Sequence, residues 1–476
     1  MIPILQKLLL SIALFLGSAY LLIAQIDAHY WTHQYGAKGL LLNGAVIAST
    51  DDETAVFYNP GAMGMGNYDD FSLSLSFLTP SYSVLRTTNY LGEGTTVTDR
   101  EIGLTPGLAA IGFSPFGSSV IRAAITSFTR YKSNIRFRGR VVNRLENTED
   151  LLFVGNLEFE RKLSEQWVGF GMSVRMTDYL SFGFSQFMTF HGQTNSFSVQ
   201  KELINSNAPD RLIAGWRNRL RYSFSANGGM LTKFGLAFSI QNRTKVGITL
   251  TTPTYQYLLR SANYEFDDLK VFPQDSTVLS SNLDGARLID HKTPLSIGFG
   301  MDFPINRSRV SFSMEYFKAI ERYTVIQDVD DPFNGEVPVP TDSEVLIENG
   351  NRWVFNFALG VQTKLSERST LIWGFRTDFN QRETLDESSS LQFLSTTPSV
   401  YHISIGNARD IWNSRISFGV DYGFGFKKGN SQLVDFSNVP VEDLYVISGD
   451  GNVRSTFHSL VFILAYDFTL RKNKEE

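Results

Sequence analysis

The residue types that perform chemistry in most enzymes are sparse in this sequence. It contains no Cys, and its His residues are scattered: His29, His33, His191, His291, His402 and His458. There is no Ser-His-Asp motif, no phosphate-binding glycine loop and no zinc-binding His pair of the kind found in metalloproteases. The sequence therefore predicts that the protein is not an enzyme and that it holds no resident metal or cofactor.

One acidic stretch, "QDVDDPFNGE" at 327–336, has side chains that could bind a cation. Carboxylate oxygens are the ligands that Ca²⁺ prefers, and they also bind the cations that bridge lipopolysaccharide molecules. Pro332 stands where a regular calcium loop needs a ligand, so we interpret the stretch as a solvated loop. Its acidic residues are Asp328, Asp330, Asp331 and Glu336.

Aromatic residues dominate the composition. The chain has 38 Phe and 19 Tyr, and only 19% of its residues are charged. So much Phe would make a water-exposed surface adhesive, and therefore a large core or a lipid bilayer must receive it. The net charge of -5 gives no indication of a nucleic-acid partner.

The chain begins with an apolar run, "LLLSIALFLGSAYLLIA" at 8–24, which follows Lys7. A short basic region before an apolar core is typical of a secretory signal peptide, which we assign to residues 1–24. An uncleaved anchor helix is the alternative, because the run is slightly long for a signal peptide. A secreted chain without Cys must fold without disulfides.

Beyond residue 70, apolar side chains recur at every second position, which is the period of a strand with two unlike faces. The stretches "DFSLSLSF" (70–77), "SIGFGMDF" (296–303), "RVSFSMEYF" (309–317) and "ISFGVDYGF" (416–424) all show this alternation. One face is aromatic, and the other carries Ser, Gly and Asp. A soluble sandwich also alternates, but its core would reject the polar face, whereas a water-filled lumen accepts it.

The links between these strands alternate between short turns and long polar stretches, as in an outer-membrane barrel. Long links are predicted at 89–103, 143–149, 201–216, 267–285, 327–349, 385–395 and 429–452. The count is about 14 strands, an even number that returns both chain ends to the periplasm; 12 or 16 remain open because residues 163–166 could form a turn. We predict an all-β transmembrane antiparallel barrel at 70–468 and a periplasmic tail at 469–476.

Residues 25–69 precede the barrel and do not alternate. They are too polar and too rich in Gly to cross a membrane, yet too apolar for a loose tail. The nearest place that would bury them is the lumen, and we therefore predict an N-terminal plug. Asn59, Pro60 and Gly61 would end its last ordered piece and turn the chain toward the wall, because Pro fixes φ and Gly tolerates positive φ.

The run "GLLLNGAVIASTDDETAVFYNPGAMG" at 39–64 resembles the N-terminal hatch of the FadL family of outer-membrane long-chain fatty acid transporters. The stretch "YNPG", Tyr58 to Gly61, is similar to a variant found in Bacteroidetes-type members. The resemblance implies a fourteen-stranded barrel with a hatch in its lumen. Tyr58, Asn59, Pro60 and Gly61 would form the hatch hinge.

The resemblance also implies passive uptake of hydrophobic molecules, with long-chain fatty acids as the default substrate, across the outer membrane of a Gram-negative bacterium. A hatch rearrangement would lead to lateral escape beside an inward kink in the third strand, where Gly139 is the only candidate kink residue. Lipopolysaccharide and other outer-membrane proteins are further partner classes. A plugged barrel that binds partners in protein export or surface assembly is the alternative function.

Transport of an apolar solute needs apolar side chains in the lumen. The alternation directs five of them inward, where Ser or Gly is expected, and these are the candidate ligand-binding residues: Phe187, Phe317, Ile372, Val461 and Ile463. Packing against the plug is the alternative role for them. Arg376 also faces inward and could bind a carboxylate head group, unless it pairs with Asp378 or with an acidic residue at 51–53.

Overall fold

The computed structural model describes residues 29–50, 52–66, 71–76, 79–105, 107–115, 118, 120–144, 150–240, 243–257, 260–272, 277–327, 348–382, 397–412, 414–432, 434–437 and 452–470. The predicted signal peptide, the acidic stretch at 328–336 and most of the predicted tail lie outside these residues. Three short helices precede the strands: α1 (Gly36–Leu41), α2 (Ala55–Tyr58) and α3 (Pro60–Met63). In the described part of the chain no helix is long and apolar enough to cross a membrane, which leaves crossing by strands open.

The rest of the described chain is almost entirely antiparallel strands. They are β1 (Phe71–Ser76), β2 (Thr79–Thr88), β3 (Thr96–Thr105), β4 (Leu108–Phe113), β5 (Ile121–Arg144), β6 (Leu151–Thr177), β7 (Leu180–Asn205), β8 (Ala208–Ile240), β9 (Thr244–Thr251), β10 (Tyr255–Gln256), β11 (Arg260–Phe272), β12 (Thr277–Ile289), β13 (Ser296–Ile305), β14 (Ser308–Phe317), β15 (Ile320–Thr324), β16 (Ile326–Gln327), β17 (Glu348–Asn351), β18 (Val354–Ser366), β19 (Ser369–Asp378), β20 (Val400–Ile411), β21 (Ser414–Ser431) and β22 (Asn452–Leu470).

All of these segments except β15 and β17, which pair with each other, form one closed wall, because β1 and β2 both pair with the last strand, β22. Several strands of the wall are interrupted and therefore consist of two or more of these segments. The first wall strand is made of β1 and β2, and the second of β3 and β4. The wall is a fourteen-stranded antiparallel barrel, which confirms the predicted fold class and strand number. Closure through the ladders to β22 pairs most of the strand edges, as a strand-built wall in lipid requires.

The polar and apolar residues that alternate in the sequence lie on the inner and outer faces of the wall, respectively. Ser72, Ser74 and Ser76 of β1 are buried, whereas their apolar neighbours are partly exposed on the outside. The same holds on β21, where Ser417 is fully buried and Phe418 is 53% exposed. The aromatic face therefore points outward, as the sequence predicts.

The predicted long links are partly wrong, because strands continue through three of them. β3 begins at Thr96, inside the link predicted at 89–103. Only residues 206 and 207 separate β7 from β8, and β11 runs to Phe272, so most of 201–216 and 267–285 is strand. A strand that rises above the membrane meets water on its outer face and loses the apolar half of its pattern. β6 is continuous through 163–166, which excludes the turn that the sequence left open.

The third wall strand, β5, has its irregularity at Arg130 and not at Gly139. Thr129 pairs with Gln166 and Tyr131 with Glu165, so Arg130 is the extra residue of a β-bulge, while Gly139 keeps a regular partner. A bulge exchanges the two faces of a strand. Phe128 faces inward below it and Ile135 above it, although their positions differ in parity. The prediction of Gly139 as the kink residue is therefore wrong.

The wall has a seam beside this bulge. β5 pairs with β4 and β6, and β3 pairs with β2; among the described residues no backbone ladder joins β3 to β5. We call this boundary the β3–β5 seam. Side chains fill it in part: Leu91 and Val97 lie against the Cα of Gly139.

Replacing Phe418 by Lys is expected to lower the free energy of unfolding by about 2–4 kcal/mol, because a charge near mid-membrane on the lipid face must be desolvated. Denaturant titration of the protein refolded into lipid vesicles measures the change.

Phe426→Lys is the matched control. Phe426 lies on the same strand and the same face and is also 53% exposed, but Lys427 and Lys428 follow it at the edge of the apolar band. Its cost should be about 0–1 kcal/mol. Equal costs at the two positions would contradict the proposed depth of the bilayer.

Candidate functional site

Glycines on the inner face of the wall bring it into backbone contact with the N-terminal segment (residues 29–66). A Cβ added to Gly183 would lie 2.4 Å from the carbonyl oxygen of Pro60, and one added to Gly247 would lie 2.3 Å from that of Ile47. Opposite them, a Cβ on Gly374 would lie 2.6 Å from the carbonyl carbon of Leu42. The inner-face glycines at which an added Cβ would lie within 2.7 Å of an atom of this segment are Gly112, Gly171, Gly183, Gly235, Gly247, Gly300, Gly360, Gly374, Gly406 and Gly419.

Short polar side chains complete these contacts. Ser313 Oγ accepts a hydrogen bond from the backbone N–H of Ile47 at 3.1 Å, and Ser404 Oγ donates to the carbonyl of Leu41 at 2.7 Å. The sequence assigned the polar face of the strands to a water-filled lumen. In this part of the barrel the Ser and Gly side contacts protein backbone instead.

The predicted hinge residues connect the segment to β8. Asn59 Nδ2 donates to the carbonyls of Ile47 at 2.9 Å and Leu236 at 3.0 Å, while Asn59 Oδ1 accepts from the N–H of Gly61. Pro60 occupies the first position of α3, where its missing N–H costs nothing. Tyr58 Oη accepts from the N–H of Tyr35 at 2.7 Å.

The physical reason for Gly61 differs from the predicted one. Its φ is not positive; the positive-φ glycines of the segment are Gly36 and Gly44. A Cβ on Gly61 would lie 2.6 Å from the carbonyl oxygen of Gly235, so this position needs Gly for close approach to the wall. That these residues act as a hinge stays a prediction.

The six predicted ligand-binding residues all face inward, and most of them pack on the N-terminal segment. Phe317 stacks on Tyr30 with 4.3 Å between ring centroids. Ile372 and Ile463 lie in one buried cluster with Leu41. Phe187 belongs to a different cluster, and Val461 is only partly buried. Their role in binding a ligand stays a prediction.

Arg376 contacts the N-terminal segment, but through neutral partners. Its Nη1 donates to Asn43 Oδ1 at 2.5 Å and its Nη2 to the carbonyl of Thr32 at 3.1 Å. Asp378 instead accepts from the N–H of Trp31 at 3.0 Å. Among the described residues, Asp378, Asp52 and Glu53 form no ion pair with Arg376, and Asp51 lies outside these residues.

A small cavity lies between the segment and the wall. Its volume is about 50 Å³, and its walls are both apolar and polar. Leu40, Val461 and Ile463 contribute apolar surface, while Arg376 and His402 contribute polar atoms. A cavity of about 150 Å³ is needed to hold benzene, so this one is too small for a hydrocarbon or a lipid.

An aromatic cluster, of which the sequence singled out only Phe187, covers the other side of the segment. Tyr35, Phe128, Trp167 and Phe187 are buried together, and Phe57 packs on them. The bulge residue adds a cation to this cluster: Arg130 lies 5.6 Å from the ring centroid of Phe57 and donates to the carbonyl of Tyr30. Irregular pairing at Arg130 carries no signal in the sequence, because any residue type can occupy a bulge.

Two titratable groups of the segment are buried without a matching charge. Burial raises the pKa of Glu53 to about 8, and the neighbouring Asp52 adds to the effect. Burial, together with Arg130 and Arg376, holds the pKa of His33 well below its usual value. Glu53 lies against Ser72 and Gly112, next to the short turn after β4. Near neutral pH the segment is therefore seated with both groups uncharged.

The seating of the segment should weaken as pH rises. The seated state holds the Glu53 proton up to about pH 8, whereas a solvated Glu loses it near pH 4.5, so the preference for the seated state falls between these values and stays low above them. Below about pH 6.5 the buried neutral His33 has the opposite effect, because released His33 would gain a proton there. Single-channel conductance of the full chain in planar bilayers, recorded from pH 5 to pH 9, should therefore increase mainly between about pH 6.5 and pH 8.

Glu53→Gln is the control, because the amide does not titrate. It should flatten the profile over the same range. An unchanged increase in the variant would assign the effect to another group.

The comparisons with known proteins agree with this architecture. No protein-family profile matches the chain, and no curated protein is similar to it. Among solved structures, a FadL homologue of Pseudomonas aeruginosa has a TM-score of 0.58 at 12% identity, covering 93% of this chain and 100% of that one.

The toluene transporter TodX of Pseudomonas putida has a TM-score of 0.55 at 13% identity, covering 92% and 99%. The monoaromatic hydrocarbon channel CymD has a TM-score of 0.52 at 11% identity, covering 92% and 98%. At such identities the likeness concerns the fold, and it shows that this chain is folded as the FadL homologue and these hydrocarbon channels are.

Proposed function

We propose that the protein is a passive channel for hydrophobic compounds in the outer membrane, and that the N-terminal segment is its hatch. The observation that carries the proposal is the seat of this segment: backbone and short side chains hold it against the inner wall on opposite sides of the barrel. The proteins of similar fold support the proposal, because they include a toluene transporter and a monoaromatic hydrocarbon channel.

The hatch must move for a solute to pass. The cavity beside it measures about 50 Å³, which accommodates a few water molecules and no lipid tail. The contacts of the segment described above are single hydrogen bonds and van der Waals contacts, each with a small net free energy. The segment can therefore leave its seat as a unit while the ladder of the wall stays intact.

Arg376 favours an amphipathic acid as the solute. With the hatch seated, two of its nitrogens bind Asn43 and Thr32, and its Nε is buried without a hydrogen-bond partner. When the hatch leaves, the guanidinium faces a cavity with Val461 and Ile463 on its wall. A carboxylate is the natural partner of such a fork, and long-chain fatty acids combine it with an apolar tail.

The β3–β5 seam is the proposed exit. Lipid cannot replace broken backbone hydrogen bonds. Because no backbone ladder joins the described residues of β3 to those of β5, the wall can open at this boundary without breaking any. The seam begins beside Arg130, which binds the carbonyl of Tyr30, so the start of the hatch and the seam are in contact.

A disulfide that ties the hatch to the wall should abolish uptake. A Cβ on Gly171 would lie 2.4 Å from Cγ2 of Val56. The double variant Val56→Cys with Gly171→Cys removes this methyl group and brings the two new sulfurs close enough to bond. Uptake of a labelled long-chain fatty acid into vesicles should fall at least about tenfold in the oxidised protein, since the seated hatch leaves no path. Reduction should restore it.

The pair Ile405→Cys with Val420→Cys is the matched control. These residues are register partners on β20 and β21 and face away from the hatch, so their disulfide should leave uptake unchanged. Full uptake through the oxidised Val56–Gly171 pair would show that the hatch does not gate the channel.

Arg376→Gln should separate acids from neutral hydrocarbons. Loss of a charge-assisted hydrogen bond of about 1.5–3 kcal/mol corresponds to a ~10–100-fold loss of affinity for a carboxylate. Uptake of a labelled fatty acid should therefore fall far more than uptake of toluene by the same vesicles. An equal fall for both solutes would mean that Arg376 only anchors the hatch.

A further inference from the structure

Three side chains that are distant in sequence meet inside the barrel. Glu165 on β6 and His191 on β7 are direct register partners, and His291 reaches them from the link between β12 and β13. One ligand atom from each lies within 4.8 Å of the others, and among the described residues no other set of His, Cys, Asp or Glu forms such a group.

The two imidazoles converge on one carboxylate oxygen. His191 Nδ1 lies 2.9 Å and His291 Nε2 lies 3.8 Å from Glu165 Oε2. Ligands at about 2.1 Å from a tetrahedral metal ion are about 3.4 Å apart, which falls between these two separations. The two rings are stacked with 4.1 Å between their centroids, so binding an ion among the three atoms requires the imidazoles to rotate until both nitrogens point at it.

The surroundings orient the group. Trp167 Nε1 donates to the other carboxylate oxygen, Glu165 Oε1, at 2.5 Å, which leaves Oε2 directed at the imidazoles. Phe224 stacks on His191 with 5.4 Å between ring centroids. Glu165 and His191 are buried, and His291 is partly exposed, which gives an ion a path from the lumen. A donor that fixes a ligating carboxylate is typical of metal centres.

We propose that Glu165, His191 and His291 bind a divalent transition-metal ion of the zinc class within the barrel, a site that the proposed transport function neither requires nor includes. Two imidazoles and one carboxylate suit Zn²⁺, whereas Ca²⁺ and Mg²⁺ take oxygen ligands only. Three protein ligands leave a coordination position for water.

The position of His291 gives the ion a structural role. Residues 290–295 lie between β12 and β13, and there side chains replace the ladder to the neighbouring strand: Thr254 N–H donates to Thr293 Oγ1 at 2.7 Å. An ion held by all three ligands would tie this link to β6 and β7. It would therefore strengthen the wall where the link between β12 and β13 faces the link between β9 and β10.

The test uses the full chain, purified in detergent and treated with a chelator, and ZnCl₂ as the probe. Isothermal titration should show one saturable site per chain, with Kd below about 10 µM. Co²⁺ in its place should give the intense visible absorption of a tetrahedral site. Zn²⁺ should also raise the melting temperature, and excess Ca²⁺ should not displace it.

Three variants locate the site. His291→Gln and Glu165→Gln should each weaken Zn²⁺ binding at least about tenfold and remove the Co²⁺ absorption, as loss of a ligand does. His458→Ala is the control, because His458 lies on the outer wall beside Tyr422 and should bind nothing here. A heat-modifiable band in gel electrophoresis shows that each barrel is folded.

Two outcomes would overturn the proposal. One is wild-type titration without a saturable zinc site, which would make the cluster a hydrogen-bonded His–carboxylate pair only. The other is zinc binding that His291→Gln leaves unchanged. Because the measurement is made without a transported solute, failure of the metal site leaves the transport proposal untouched, and failure of transport leaves the metal site untouched.

Discussion

The structure depends on one steric constraint: the N-terminal segment approaches the wall at backbone distance. Gly183, Gly235 and Gly247 on one side and Gly374 on the other leave no room for a Cβ between the two chains. A side chain at any of them would displace the segment and open the lumen. The hydrogen bonds of the segment to the wall, the small cavity and the buried state of Glu53 all follow from this approach, because each needs the segment to lie close to the strands.

The sequence predicts the wall well and the interior poorly. A bilayer repeats the same demand at every lipid-facing position, so Phe418 and the serines of β1 show their faces through period two alone. Outside the bilayer the apolar half of the alternation is lost. The strand residues at 96–103 and in most of 201–216 therefore resemble loops in the sequence. The bulge at Arg130 and the reason for Gly61 depend on contacts between distant segments, and no local pattern encodes them.

The metal-ligating cluster illustrates the same limit. Glu165 and His191 face each other only because the β6–β7 register places them so. His291 joins them from the link that interrupts the wall strand made of β12 and β13. The sequence shows that these residues are of metal-binding types, but only the pairing register of the strands shows that they lie close together. Knowledge of the hairpin turn at 178–179 would not have sufficed for the first pair, because a bulge between Arg175 and Thr177 shifts the register by one residue, and a count from the turn would pair Glu165 with Gly192.

The strands on one side of the barrel are much longer than a bilayer is thick. β8 runs for 33 residues, which at about 3.3 Å per residue and a tilt of about 40° rises roughly 80 Å, whereas the hydrocarbon layer is about 30 Å thick. The sheet of β5 to β8 thus forms a one-sided tower above the cell surface. For the proposed channel, this tower would be the part of the protein that a solute outside the cell meets first.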